Sequence, residues 1–183
     1  IAGPDSGGAG TAEALAQAEA LRGAGDLQGA ADLYLAVLQQ DPEALEAVAG
    51  LALCQLDAGQ VDEARQTLDM VPADRLGEPA IAAAYSAIAL ADEAAEAGDV
   101  GALEAQVAAN PSDHHARFDL AVALGGSGRR QEAVDHLLAI LKADREWNEG
   151  AARTKLLSFF EAWGAKDPAS ITGRRKMSSL LFS

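Results

Sequence analysis

Few residues of this sequence have the types and spacing that chemistry at a site requires. His115 and Asp119 stand four residues apart in SDHHARFD, a spacing that can bind a metal ion on one helix face. No third ligand is evident, because His136 falls in another predicted helix. A solvated helix start, with Asp113 beside the N-terminal dipole, explains the same residues better. We therefore predict no metal site and no cofactor.

Nucleophilic and phosphate-binding chemistry is also poorly supported. Cys54 lies in LALCQL without a histidine or basic residue nearby to lower its pKa, so we expect it to pack as a small apolar group. The segment GGSGRR at 125–130 follows no strand and lacks the lysine and serine or threonine of a phosphate-binding loop, so it indicates a turn between helices. We predict no catalytic residue and no enzymatic activity.

The composition favours helices and an acidic surface. Hydrophobic residues make up 49% of the 183 residues, aromatic ones only 4%, and alanine and leucine, which lose little freedom in a helix, predominate. The net charge of -14 argues against nucleic acid and anionic membranes as partners. No apolar stretch approaches the ~20 residues that a membrane-spanning helix needs. We expect an all-α, cytoplasmic protein.

Positive charge is concentrated near the C-terminal end. Residues 150–183 carry six basic side chains against two acidic ones, a local charge of +4. These basic residues either complement the negative ends of helix dipoles or belong to a docking surface.

Glycine and alanine recur with a period close to 34 residues. Gly25 and Gly59 are 34 residues apart, and Gly98 and Gly128 follow after 39 and 30 more. Small and large apolar residues keep fixed distances from these glycines: alanine seven before each (Ala18, Ala52, Ala91, Ala121), alanine five after three of them (Ala30, Ala64, Ala133) and a larger residue nine after (Tyr34, Leu68, Leu137).

The repeat predicts antiparallel helix pairs. Each glycine reverses the chain with a positive φ, and the alanines permit close approach where the helices cross, at ~8–10 Å between axes. The pattern resembles the tetratricopeptide repeat, which implies a right-handed superhelix of such pairs. Two repeats would fill 11–73, and a degenerate repeat and a good one 79–145. Two capping helices at about 147–163 and 168–181 would occupy 146–183, and residues 1–10 would form a flexible linker from an absent N-terminal domain.

A groove is the remaining candidate for a functional site. In such a solenoid the first helix of each pair lines the concave side. Its lining would be apolar with an acidic surround, suited to extended apolar or basic segments, although some positions could equally be core between repeats. The groove positions are Leu15, Glu19, Leu53, Leu56, Phe118 and Val122.

The C-terminal half has a narrower resemblance. AVDHLLAILKADREWNEGAAR and RRKMSSLLF are similar to the tail of bacterial chaperedoxins, cytoplasmic proteins that join a thioredoxin fold to a tetratricopeptide region. The resemblance implies a thioredoxin-like domain in cis and a holdase that binds unfolding proteins and passes them to the GroEL and DnaK systems. It also implies a chaperone-docking tail of Arg174, Arg175, Lys176, Leu180, Leu181 and Phe182.

A passive role stays open beside the holdase. The same helix pairs would serve a scaffold that binds one defined partner or associates with itself. Both alternatives are non-catalytic.

Overall fold

The structure, a computed structural model, describes residues 6–183, with side chains from residue 8 onward. Within this range it contains α-helices, one short 3₁₀ helix (Ala73–Arg75) and no strand, which confirms the all-α prediction. The helices are α1 (Ser6–Gly23), α2 (Leu27–Gln40), α3 (Leu45–Asp57), α4 (Val61–Asp69), α5 (Pro79–Ala97), α6 (Val100–Ala109), α7 (His114–Gly126), α8 (Arg130–Ala143), α9 (Trp147–Trp163) and α10 (Pro168–Phe182).

The prediction of a flexible linker at residues 1–10 is wrong for the second half of that segment. Residues 1–5 lie outside the described residues, whereas 6–10 belong to α1. The physical reason is that extending an established helix gains one hydrogen bond for each residue ordered, and the packed part of α1 supplies that start.

The four repeat glycines reverse the chain as predicted. Gly25, Gly59, Gly98 and Gly128 have φ values of +87°, +79°, +115° and +84°, in the region that costs glycine little. After three of them the next N–H donates back to a carbonyl five residues earlier: Asp26 to Leu21, Gln60 to Gln55 and Arg129 to Leu124. These bonds satisfy carbonyls at the helix ends, as in a Schellman motif.

The small residues of the repeat are mostly buried between packed helices. Six of the seven alanines are almost completely buried, and Ala91 is half-buried. The larger residues Tyr34, Leu68 and Leu137 are also buried. The packing therefore agrees with the antiparallel pairs that the repeat predicts; the buried alanines are Ala18, Ala30, Ala52, Ala64, Ala121 and Ala133.

The described residues divide into two compact units, one that ends at Ile88 and one that comprises residues 89–183. The boundary falls inside α5, not at residue 79 where the third repeat was expected to begin. Ile81 and Ile88 share an apolar core with Leu68 in the first unit, whereas Leu90 belongs to the core around Leu120 in the second. The first half of α5 is thus assigned to the first unit by its packing.

The last two helices agree with the predicted helices at about 147–163 and 168–181. Phe159 of α9 and Phe160, its neighbour, are buried in the same core as Leu137 of α8 and Met177 of α10. The helix α9 opens with an unusual left-handed turn at 148–150. Both helices therefore complete the core of the second unit.

Candidate protein-binding surface

Each of the three leucines predicted to line the groove of the first unit is partly buried in the core and partly accessible to solvent. Leu15 of α1 is half-buried against the cluster around Ala18 and Tyr34. Leu53 and Leu56 of α3 are half-buried against the cluster around Leu68. These three leucines therefore combine a packing role with accessible apolar surface.

Glu19 is the acidic member of the predicted groove. It lies on α1, one helical turn after Leu15, and its side chain is exposed. The first helix of this unit thus presents an apolar and an acidic group to solvent within one turn.

In the second unit one of the two predicted groove positions is wrong. Phe118 is half-buried and keeps accessible surface, but Val122 is only 5% exposed. The helix α7 packs against both α6 and α8, and this two-sided packing leaves little of its surface free. Val122 therefore supplies no groove surface.

Phe118 belongs to an aromatic cluster around Trp147. The Trp147 ring centroid lies 6.0 Å from that of His114, 5.0 Å from that of His115 and 5.6 Å from that of Phe118. The left-handed turn at 148–150, with φ of 48°, 57° and 77°, follows Trp147 directly. The sequence signal for that turn was the Asn-Glu-Gly after the tryptophan, since asparagine and glycine tolerate left-handed backbone.

The three histidines contact neighbouring aromatic or basic side chains. Asp113 caps α7 by accepting from Ala116 N at 3.1 Å, as expected for a helix start. Among the described residues there is no group of three or more ligating side chains that could hold a metal ion. Arg117 Nη1 lies 3.4 Å from His136 Nδ1, and burial, followed by this guanidinium, lowers the pKa of His136.

Cys54 packs as an apolar group. Its side chain is 2% exposed and lies in the same core as Tyr34 and Leu51. Burial raises the pKa of the thiol, more strongly than Arg22 lowers it. The thiol is therefore protonated and shielded at neutral pH.

A pocket that sequence reasoning missed lies in the first unit. Its volume is about 260 Å³, and it brings the start of α3 together with the segment that leads into α5. Arg75 Nε is 3.3 Å from Glu78 Oε1 at its edge. The periodicity of the sequence could not have indicated this pocket, because the two segments that line it are some thirty residues apart. The first segment supplies Glu43, Leu45 and Glu46, and the second supplies Arg75, Glu78, Pro79 and Ala80.

The predicted docking tail is not one surface. The Arg174 guanidinium lies 5.0 Å from the centre of the Phe160 ring, and Lys176 Nζ is 2.9 Å from Asp135 Oδ1, so both basic groups contact their own unit. Leu180 and Leu181 pack partly into the core of that unit.

The outward part of the tail is smaller than predicted. Arg175 is exposed and has no partner among the described residues, and Phe182 is 89% exposed. Arg175 and Phe182 are therefore the two members of the predicted tail that are free to meet a partner.

No helix within the described residues is long and apolar enough to cross a bilayer.

Comparison with known proteins gives two family matches. Models described as tetratricopeptide repeat match residues 21–88 and residues 93–182. The gap between the two matches falls in α5, near the boundary between the two units.

Two individual proteins are also similar. An uncharacterised Haemophilus influenzae protein is 37% identical over 95 residues, which cover 52% of this chain and 43% of that protein. The matched part thus spans less than half of that relative. The crystal structure of a domain of unknown function from Vibrio parahaemolyticus aligns with a TM-score of 0.46 and 24% identity, over 93% of this chain and 99% of the domain.

The helix pairs and the two family matches together show that the chain contains a tetratricopeptide-repeat region.

Proposed function

We propose that the chain is the protein-binding region of a cytoplasmic co-chaperone that holds unfolding proteins and docks on folding chaperones. The tetratricopeptide-repeat region supports a non-catalytic protein-binding or scaffold role. The resemblance to chaperedoxins supports the holdase as the specific form of that role. The observation that carries the proposal is the accessible apolar surface of Leu15, Leu53 and Leu56 on a strongly acidic unit.

The charge of the first unit defines the segments that it would bind. Residues 1–88 contain fourteen acidic and three basic residues, a net charge of −11. Half-buried leucines bind exposed apolar side chains of an unfolding protein through the hydrophobic effect. The acidic surround favours segments that also carry lysine or arginine, and it repels acidic ones. Clients are therefore apolar segments with basic flanks.

Suppression of aggregation tests the holdase. A heat-denatured enzyme should scatter less light when the chain is added in stoichiometric amounts, and Leu53→Glu with Phe118→Glu should remove the effect. Leu35→Glu is the matched control, because Leu35 is 45% exposed on α2, the second helix of its pair. Circular dichroism should show unchanged helix content in each variant.

One result would contradict the holdase, and another would contradict its predicted surface. One is a chain that leaves the scattering unchanged. The other is a Leu35→Glu variant that loses as much protection as the variant at Leu53 and Phe118, since the protection would then not depend on the predicted surface. Leu53→Gln, a milder change, replaces Leu53→Glu if the charged variant loses helix content.

Docking on a folding chaperone has its own test. We expect the chain to co-elute with GroEL and Arg175→Glu with Phe182→Ala to abolish co-elution, because these two side chains project from α10. Arg153→Glu makes the same charge change at an exposed position of α9 and should not affect co-elution. Equal co-elution of all three proteins would contradict the docking role of the tail.

A further inference from the structure

The helix α10 has one face with no partner among the described residues. Arg175, Ser178, Ser179 and Phe182 are all exposed and follow the spacing of three to four residues that aligns side chains along one side of a helix. Arg175 and Phe182 are two turns apart, about 10 Å along the axis. This stripe, called the α10 face below, therefore has a cation at one end and an aromatic ring at the other.

The opposite side of α10 is held by its own unit. Met177 is buried, and a Cβ at Gly173 would lie 2.6 Å from ring atoms of Phe160, so helix and ring are in direct contact. This packing fixes which side of α10 faces solvent.

The pocket of the first unit has complementary chemistry. Leu45, Pro79 and Ala80 supply apolar walls. Arg75 is paired with Glu78, whereas Glu43 and Glu46 have no ion-pair partner among the described residues. At about 260 Å³ the pocket lies below the ~300–1,000 Å³ of sites for drug-sized ligands, so it suits one long side chain.

We propose that the α10 face of one copy docks on this pocket of a second copy. The Arg175 guanidinium lies against the carboxylates of Glu43 and Glu46, with its aliphatic stem along the apolar walls. Phe182 packs against apolar surface of the first unit, for which Leu76 is available: it follows the pocket residue Arg75 in sequence and is 38% exposed.

Charge complementarity selects a second copy as the occupant. Two copies that each carry −14 repel overall, but residues 1–88 carry −11 and the residues of α10 carry +3, so these two surfaces attract each other locally between molecules. Arg174 and Lys176 already have contacts within their unit, which leaves Arg175 as the basic group of the tail that lacks one.

The contact is head-to-tail, because the two surfaces are different. Such contacts close into rings or extend into chains, and they need no two-fold axis. Exposed charges dominate the contact, so salt weakens it. Self-association also covers the α10 face and so excludes the docking of that face on a folding chaperone. The proposal is independent of the holdase activity.

Sedimentation velocity over a range of concentrations tests the proposal. We expect the sedimentation coefficient to rise with concentration at low salt and to fall back at high salt. Arg175→Glu should raise the dissociation constant about tenfold or more, as should Glu46→Lys, because each places like charges together. Arg153→Glu is the matched control and should associate as the unchanged chain does.

A mixture of the two charge-reversed chains gives the sharpest result. Each alone has a repulsive contact, but the mixture pairs Lys at 46 with Glu at 175, and leaves Glu46 of one chain against Arg175 of the other. Association should therefore reappear on mixing. Both substitutions are at exposed positions, and unchanged melting temperatures would show that both chains fold.

Three outcomes would overturn the proposal. The chain could stay monomeric at every concentration at low salt, the Arg175→Glu chain could associate normally, or the mixture could fail to recover. A monomeric chain whose suppression of aggregation is lost on Glu46→Lys would assign the pocket to client segments instead. Suppression of aggregation by an Arg175→Glu chain would leave the holdase intact, so the two proposals fail separately.

Discussion

The ring of Tyr34 lies directly against the backbone of Gly50. A Cβ on Gly50 would lie 2.8 Å from Cε2 of the ring and closer still to Cε1 and Cζ. Both residues are buried, and the contact joins α2 to α3. The ring occupies the space that a side chain at position 50 would fill. Any residue other than glycine at this position would therefore force α2 and α3 farther apart.

Gly50→Ala should destabilise the first unit. The added methyl forces the buried Tyr34 ring to move, at a cost of ~1–3 kcal/mol, and the better helix propensity of alanine offsets at most about 1 kcal/mol. Denaturant unfolding measures the difference. Gly10→Ala is the control, because a Cβ there meets nothing within 4 Å, and it should be neutral or slightly stabilising. Equal stability of both variants would contradict the close contact.

Met177→Ala and Phe182→Ala should separate the inner and outer sides of α10. Met177 is 9% exposed, so its truncation should lower the free energy of unfolding by ~2–5 kcal/mol. Phe182 is 89% exposed, and its truncation should change that free energy by less than about 0.5 kcal/mol. Equal losses would show that Phe182 packs on its own chain and is not free for a partner.

Cys54 should be inert in the folded chain. Its thiol is 2% exposed, and burial raises its pKa, so both access and the thiolate fraction are low. A chromogenic disulfide reagent at mildly alkaline pH should react with the native chain far more slowly than with the chain in denaturant. Similar rates in the two conditions would mean that Cys54 is accessible and the packing of α3 on α2 is wrong.

His136 should make stability depend on pH. Its folded pKa is lowered, chiefly by burial and then by Arg117, below the unfolded value of about 6.5. Below about pH 6.5 the unfolded chain therefore binds more protons at this histidine than the folded chain does. The contribution of neutral His136 to stability is present above about pH 6.5 and is lost as the pH falls below it. Lowering the pH from about 7.5 to about 5.5 should reduce the melting temperature of the unchanged chain more than that of His136→Gln. An equal fall in the melting temperatures of the unchanged chain and of His136→Gln would contradict the lowered pKa of His136.

The helix pairs could be predicted from the sequence because their causes are local. A left-handed residue at Gly25 or Gly59 and a small side chain at Ala30 or Ala64 are requirements of the backbone and of the crossing point, and they recur at fixed spacing. The same holds for α10, where Asp167 at the N-cap precedes Pro168 in the first turn. The all-α class, the turns at these glycines and the approximate ends of the last two helices were therefore determined by the sequence alone.

Tertiary structure decided which of those residues keep accessible surface. Val122 and Phe118 are one turn apart on α7, yet only the phenylalanine keeps accessible surface. Arg174 and Arg175 are neighbours, yet only the first meets an aromatic ring of its own unit. The physical reason is that exposure, ion pairing and pockets depend on side chains from distant segments. Periodicity reports which face of a helix is apolar, but it does not report what packs against that face.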